Sequence, residues 1–203
     1  MHVYNFPNIG YILNTFTNEE LQPIRDEIKE IQSTFDSAKK INHSEAGAIK
    51  KEFEIIKSRE PLEKLILPMK QAFDDCFDQP AHRPDGQAYI KQAWVNFQSA
   101  GEFMAPHTHI GDYGFALYIN IPFTLQEELD YLSTPDKTAN QGSSFVFYYT
   151  DSMGNIKPSF LPVDKSWENT AIFFPGLMLH GVQPFFTSDD YRITVSGTIR
   201  HHD

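Results

Sequence analysis

A chain of 203 residues suits one domain with a single sizeable core, and 40% hydrophobic with 22% charged residues is the composition of a folded protein rather than a disordered one. A formal charge of −10 and a pI near 5.2 argue against a protein that grips a nucleic-acid backbone, which needs a basic face. The one cysteine, Cys76, excludes an internal disulfide and any cysteine-built zinc or iron–sulfur site, a usage that fits a reducing compartment.

The chain starts Met1-His2-Val3-Tyr4-Asn5, without the basic and then apolar run of a signal peptide. Its longest apolar stretches, such as 115–121, have strand length and are broken by Asn120, so a cytoplasmic protein with no membrane or nucleic-acid partner is expected. Residues 17–79 read as helical. Thr17-Asn18-Glu19-Glu20 has the Thr-x-x-Glu form of a capping box, and Leu21, Ile24, Ile28 and Ile31 succeed it at helical spacing. A second helix is expected after the polar stretch 39–44. A third begins at Pro61, carries Leu62, Leu65, Ile66, Met69, Phe73, Cys76 and Phe77 on one face, and is expected to kink at Pro68. These helices read as a buttress packed on a sheet.

Loop chemistry at 79–86, rich in Pro, Asp and Gly, marks a change of texture. Beyond it, candidate strands are 88–98, 114–121, 143–149, 171–174 and 191–199, with shorter pieces around Phe103 and Val182. Short strands between Pro and Gly turns point to a sandwich or barrel rather than βαβ units. The polar insertion 126–141, with a helix-like start over 125–132, is long enough for a flap over a site mouth. The whole chain, 1–203, therefore reads as one α+β, mostly β domain: a helical part to residue 86 and a β core from 87.

Chemistry concentrates in the β core. In Pro106-His107-Thr108-His109-Ile110-Gly111-Asp112, the two histidines stand two apart, so on extended backbone both rings share a face, as in a chelating pair. His180 comes after the turn Pro175-Gly176 among apolar neighbours, either as a hydrogen-bonded core histidine or as a third ligand from a distant strand. Arg192 lies in the strand Tyr191-Arg192-Ile193-Thr194-Val195-Ser196. Pointing inward it needs an anion, and its fork suits a carboxylate that Thr194, on the same face, can also reach; pointing outward it would pair with Asp189 or Asp190.

Taken in order, His107-x-His109, His180 after a Pro-Gly turn, and Arg192-x-Thr194 resemble the Fe(II)/2-oxoglutarate-dependent oxygenases. The resemblance is to the prolyl-4-hydroxylase-like branch, and especially to its short phage-encoded members. It covers about residues 88–200 and implies a double-stranded β-helix (jelly roll) with N-terminal helices packed on one sheet. It implies His107 and His180 as metal ligands, and Arg192, Thr194 and Tyr118 as the grip on the far carboxylate of 2-oxoglutarate. Tyr118 enters through Leu117-Tyr118-Ile119-Asn120, similar to the family's Tyr-Leu-Asn strand. Gln141-Gly142-Ser143-Ser144-Phe145 resembles a Gly-Gly strand of the family with one glycine missing. The family's usual first motif is His-x-Asp. Here either His109 takes the place of the acid, or Asp112 supplies a carboxylate from the next turn.

The implied activity is hydroxylation of an unactivated C–H, in a prolyl residue of a protein or peptide or in a small molecule. It would require Fe(II), 2-oxoglutarate and O2, with ascorbate as a stimulant, and would release succinate and CO2. Phe145, Phe147, Phe173 and Trp94 are candidate pocket walls or plain core. Two other readings share the jelly roll: a cupin-type metal-binding module or isomerase for a sugar or acid, and a non-catalytic virion component.

Overall fold

A computed structural model describes residues 9–41, 47–77, 87–133 and 141–202. The chain enters through β1 (Ile12–Thr15), a short edge strand that the sequence pattern does not predict, and Thr17 then caps α1 (Asn18–Ser33) as its motif predicts. The Glu20 amide donates to Thr17 Oγ1 at 3.2 Å and the Thr17 amide to Glu20 Oε2 at 2.8 Å, so two orphan donors are satisfied reciprocally. Leu21, Ile24, Ile28 and Ile31 are buried.

The expected second helix is not formed within the described residues: residues 42–46 lie outside them, and the next element is the short strand β2 (Glu52–Glu54). Phe53 and Ile55, two apart, are both buried, which is the period of a strand, and Phe53 stacks on Phe35 at 5.3 Å. Next comes α2 (Arg59–Cys76), with Pro61 in its first turn. The helix runs on through Pro68, which lies on its exposed side, where the carbonyl that proline leaves unbonded can be met by water. Cys76, expected on the apolar face, is exposed.

The start of α2 is capped from α1. Ser58 makes no side-chain cap of its own, and Glu27 accepts from the amides of Ile56, Lys57 and Ser58 and from Ser58 Oγ at 2.6–2.9 Å. Burial pushes this carboxyl upward, but the four hydrogen bonds outweigh it and hold its pKa below the usual value. A lowered folded-state pKa gives stability that is present above the unfolded pKa and is lost as pH falls through the folded one. Glu27→Gln should therefore cost about 2 kcal/mol at neutral pH. Urea melts of both proteins should converge as pH falls through the lowered folded-state pKa of Glu27, and a constant gap across pH would refute the charge-based cap.

From β3 (Ala88–Gln98) the chain is β, through β4 (Met104–His107) and β5 (Tyr113–Asn120), with α3 (Leu125–Leu132) between β5 and β6 (Phe145–Thr150). After these come β7 (Ile156–Leu161), a 3-10 turn (Lys165–Trp167), β8 (Thr170–Pro175), β9 (Leu179–Val182) and β10 (Arg192–His201). All strand pairs are antiparallel. The six-stranded sheet has the order β1-β8-β5-β10-β3-β2 and the four-stranded sheet β4-β9-β6-β7. The fold is α+β, mostly β, a double-stranded β-helix with the helices on one sheet. β7, like β1 and β2, is a strand that the sequence pattern does not predict. Pro158, at an edge position, and its exposed start hide its alternation.

The large sheet has two different faces. On β10, Ile193, Val195 and Ile199 join Phe97, Leu117 and Phe173 under α1 and α2. The alternate positions Arg192, Thr194 and Ser196 face the small sheet, as do Asn96 and Gln98 of β3. Between the sheets, an apolar cluster that includes Phe123, Phe147 and Ile172 borders a more polar pocket, and the candidate site lies in that pocket. Among the described residues no helix is long and apolar enough to cross a membrane.

Candidate metal centre and its pocket

His107 ends β4 and faces His180 of β9 as its direct cross-strand partner. Their ring centroids lie 4.3 Å apart. His109, two residues on, is held by its own amide, which donates to the Gly176 carbonyl at 2.8 Å, while the Gly176 amide donates to the Asp112 carbonyl at 2.9 Å. Both glycines of this crossing are needed for close approach. A Cβ on Gly176 would collide with the Gly111 carbonyl, and one on Gly111 with the Thr198 methyl. This packing carries His109 into the site, where one ligand nitrogen from each of the three histidines lies within 4.8 Å of the others.

The rings are oriented alike. Nδ1 of His107 is 2.8 Å from the Ala105 carbonyl, Nδ1 of His180 is 2.8 Å from the Met178 carbonyl, and Nδ1 of His109 is 3.0 Å from Thr198 Oγ1. A carbonyl can only accept, so His107 and His180 carry their proton on Nδ1 and keep Nε2 basic, the tautomer a metal ligand needs. His180 is 3% exposed, and burial, with His109 and His107 beside it, pushes its pKa well below the usual value. It is neutral at physiological pH. Aromatic rings complete its setting: Phe174 lies edge-on at 4.5 Å, Phe145 is stacked at 5.5 Å, and Trp94 stacks on His109 at 5.7 Å.

At the other end of the pocket, Arg192 is 1% exposed and points inward, away from Asp189 and Asp190 as hydrogen-bond partners. Its Nε and Nη2 both donate to Gln98 Oε1, at 3.0 and 2.7 Å, Nη1 donates to the Ser143 carbonyl at 2.8 Å and Nη2 to the Gln183 carbonyl at 2.8 Å. Four of its five N–H groups thus end on neutral oxygens. Phe185 and Phe123, stacked on each other at 4.7 Å, lie beside the guanidinium at 5.5 and 5.8 Å. Burial pushes its pKa down to about 10, against the attraction of Tyr118 and Glu128, so it remains charged at neutral pH. Ser143 holds a φ of +58°, in the left-handed region, within the segment that resembles a Gly-Gly strand but has only one glycine. Its carbonyl is one of the guanidinium's acceptors, so local backbone strain accompanies the arginine's seat.

The pocket between these ends has an empty volume of about 530 Å³ including its mouth. Thr194 and Tyr118 line it beside Arg192, and Tyr118 is fully buried, its phenol pushed up by burial. Asp112 lies elsewhere: Oδ2 accepts from the His201 amide at 2.8 Å and is 2.9 Å from His201 Nδ1, and Asp112 is absent from the ligand cluster. Trp94 and Phe145 line the pocket. Phe173 does not, because strand alternation turns it toward the helices and puts Phe174 on the inner face. Phe147 sits deeper in the core between the sheets.

Sequence reasoning misses Asn96 and Gln98. They occupy alternate positions of a strand whose other face is apolar, and that alternation is the signal that could have found them. It also takes 126–141 as a flap. The first part of that segment is α3, anchored by Glu128, which is 1% exposed and accepts from the Phe186 and Thr187 amides and Thr187 Oγ1; residues 134–140 lie outside the described residues.

The donor set fits a transition-metal ion bound by imidazoles, and a charged Arg192 in the same pocket, which no acidic side chain lines among the described residues, fits an anionic ligand. No protein-family model and no curated protein matches the chain. Solved structures do. An oxidoreductase of the 2OG-Fe(II) oxygenase family from Burkholderia pseudomallei matches with a TM-score of 0.55 at 13% identity, over 95% of this chain and 85% of that one. A prolyl-4-hydroxylase from Pseudomonas putida matches with a TM-score of 0.55 at 12% identity, over 96% and 94%. A prolyl hydroxylase from Trichoplax adhaerens, in complex with a hypoxia-inducible-factor peptide fragment, matches with a TM-score of 0.58 at 11% identity, over 96% and 84%. At these identities, what the chain shares with them is the fold, a helix-backed double-stranded β-helix spanning nearly its whole length.

Proposed function

We propose that the chain is an Fe(II)- and 2-oxoglutarate-dependent oxygenase that hydroxylates an unactivated C–H, with a prolyl residue of a protein or peptide as the substrate class. One observation carries the reading: three imidazoles set for a metal ion and a buried, charged arginine share a pocket that no acidic side chain lines among the described residues. His107, His109 and His180 would hold the metal through Nε2. Arg192, with the hydroxyls of Thr194 and Tyr118, would hold the far carboxylate of 2-oxoglutarate. Bound there, iron with 2-oxoglutarate and O2 supplies the oxidising power for C–H hydroxylation, releasing succinate and CO2.

The protein's own part is positioning and dryness. His180, held neutral by its burial, would bind without first losing a proton, the Nδ1 hydrogen bonds fix each ring's direction, and Phe174, Phe145 and Trp94 shield the site from water. The peptide-bound prolyl hydroxylase among the matched structures supports the peptidyl substrate. A tripod without a carboxylate favours one second reading, a cupin-type module holding zinc or nickel and binding an organic acid.

Anaerobic addition of Fe(II) and 2-oxoglutarate separates the two. The oxygenase should develop a visible metal-to-ligand charge-transfer band and, on admission of O2 with ascorbate, form succinate faster in the presence of proline-containing peptides. Tight zinc binding with neither band nor succinate would leave the binding module.

A further inference from the structure

Gln98 stands directly across from Arg192 in the β3–β10 register and is itself 3% exposed. A buried guanidinium ordinarily requires a carboxylate at hydrogen-bonding range, because its desolvation is otherwise uncompensated. Here that place is held by an amide of the same length as glutamate, and its one oxygen takes both Nε and Nη2. The amide's orientation is fixed from behind: Nε2 donates to the Glu102 carbonyl, which leaves Oε1 toward the arginine. The remaining acceptors, the carbonyls of Ser143 and Gln183, are also neutral. Glu128 acts on Arg192 only at longer range, its carboxylate being bound to the Phe186 and Thr187 amides.

We propose that Gln98 is a positioning residue that orients Arg192 while leaving its charge for an incoming carboxylate, and so sets the affinity and selectivity for a dicarboxylic keto acid. This rests on the reading of the pocket as a 2-oxoglutarate site. The physical content is a division of labour. Three neutral oxygens satisfy the geometry of the fork, and none of them cancels its charge, so a ligand carboxylate meets both a positive field and the fifth N–H, on Nη1. A glutamate at the same position would complete an internal ion pair and repel the ligand.

The test is calorimetric binding of 2-oxoglutarate and of pyruvate to the Mn(II)-loaded protein. Pyruvate keeps the α-keto acid end and lacks the far carboxylate. Gln98→Glu should weaken 2-oxoglutarate by roughly thirtyfold or more and leave pyruvate unchanged. Gln98→Met, which removes the acceptor without adding a charge, should weaken 2-oxoglutarate less, again sparing pyruvate, and it decides the matter if the glutamate variant does not fold. Unchanged 2-oxoglutarate binding in the variants, or equal weakening of both acids, overturns the assignment, since a merely structural residue would affect both alike. Wild-type protein that takes up Mn(II) but binds neither acid would instead overturn the oxygenase reading beneath it.

Discussion

His180→Ala is expected to abolish metal binding. The ring is buried between Phe174 and Phe145, its Nδ1 faces the Met178 carbonyl, and no other histidine, cysteine or carboxylate among the described residues joins the cluster to replace it. Removing one of three ligands should weaken affinity beyond the roughly ten- to hundredfold typical of losing an outer hydrogen-bond partner. His107→Ala and His109→Ala should behave alike. Asp112→Ala should keep full metal occupancy, because its carboxylate is engaged by His201. His109→Asp, which creates two histidines and one carboxylate, should bind Fe(II) at least as well as wild type. Thr198→Val, which leaves His109 without its hydroxyl partner, should cost about tenfold. Metal content by elemental analysis, with Mn(II) titration calorimetry for the affinities, reads all six. Stoichiometric metal in all three histidine-to-alanine variants would remove the site.

Much of this arrangement is legible without coordinates. The Thr17–Glu20 box, the strand at 88–98 and the period-two alternation of β10 depend on neighbours within a few residues, and local patterns report them. The spacing of His107 and His109 likewise marks a shared face. What local pattern cannot supply is register. Gln98 meets Arg192, and Thr198 meets His109, only because β10 lies between β3 and β5 and the turn at Gly111 packs under it. The choice between His109 and Asp112 turns on the same long-range geometry: one residue's amide is tied to Gly176 and the other's carboxylate to His201, over separations no motif spans. The helix expected after 39–44 is not formed among the described residues for a different reason. Phe53 and Ile55 alternate in a segment too short for periodicity to outvote the helical texture around it, and pairing with β3 decides its state.

Arg192→Ala should be costly in two separable ways. In the folded protein the guanidinium ties β10 to β3 through Gln98, to the segment before β6 through Ser143, and to the segment after β9 through Gln183. Truncation leaves three buried oxygens without this donor and a void beside the stacked rings of Phe123 and Phe185. A loss of about 3–5 kcal/mol is expected, and at this chain length that lowers Tm by roughly 10 °C or more. Arg192→Lys keeps a positive charge but presents it as a compact point on a shorter fork-less chain, so it cannot serve Gln98, Ser143 and Gln183 together. It should recover part of the stability, at a net loss of about 2 kcal/mol. Binding should separate from folding in the pair. At a temperature where both variants are folded, 2-oxoglutarate affinity should fall roughly tenfold in Arg192→Lys and more than a hundredfold in Arg192→Ala, with metal affinity unchanged. Thermal melts and calorimetry on the Mn(II)-loaded proteins read the two effects independently. Undiminished Tm in Arg192→Ala would show that the four hydrogen bonds only offset the desolvation of the guanidinium. Undiminished 2-oxoglutarate affinity would show that its charge is not what the pocket offers a ligand.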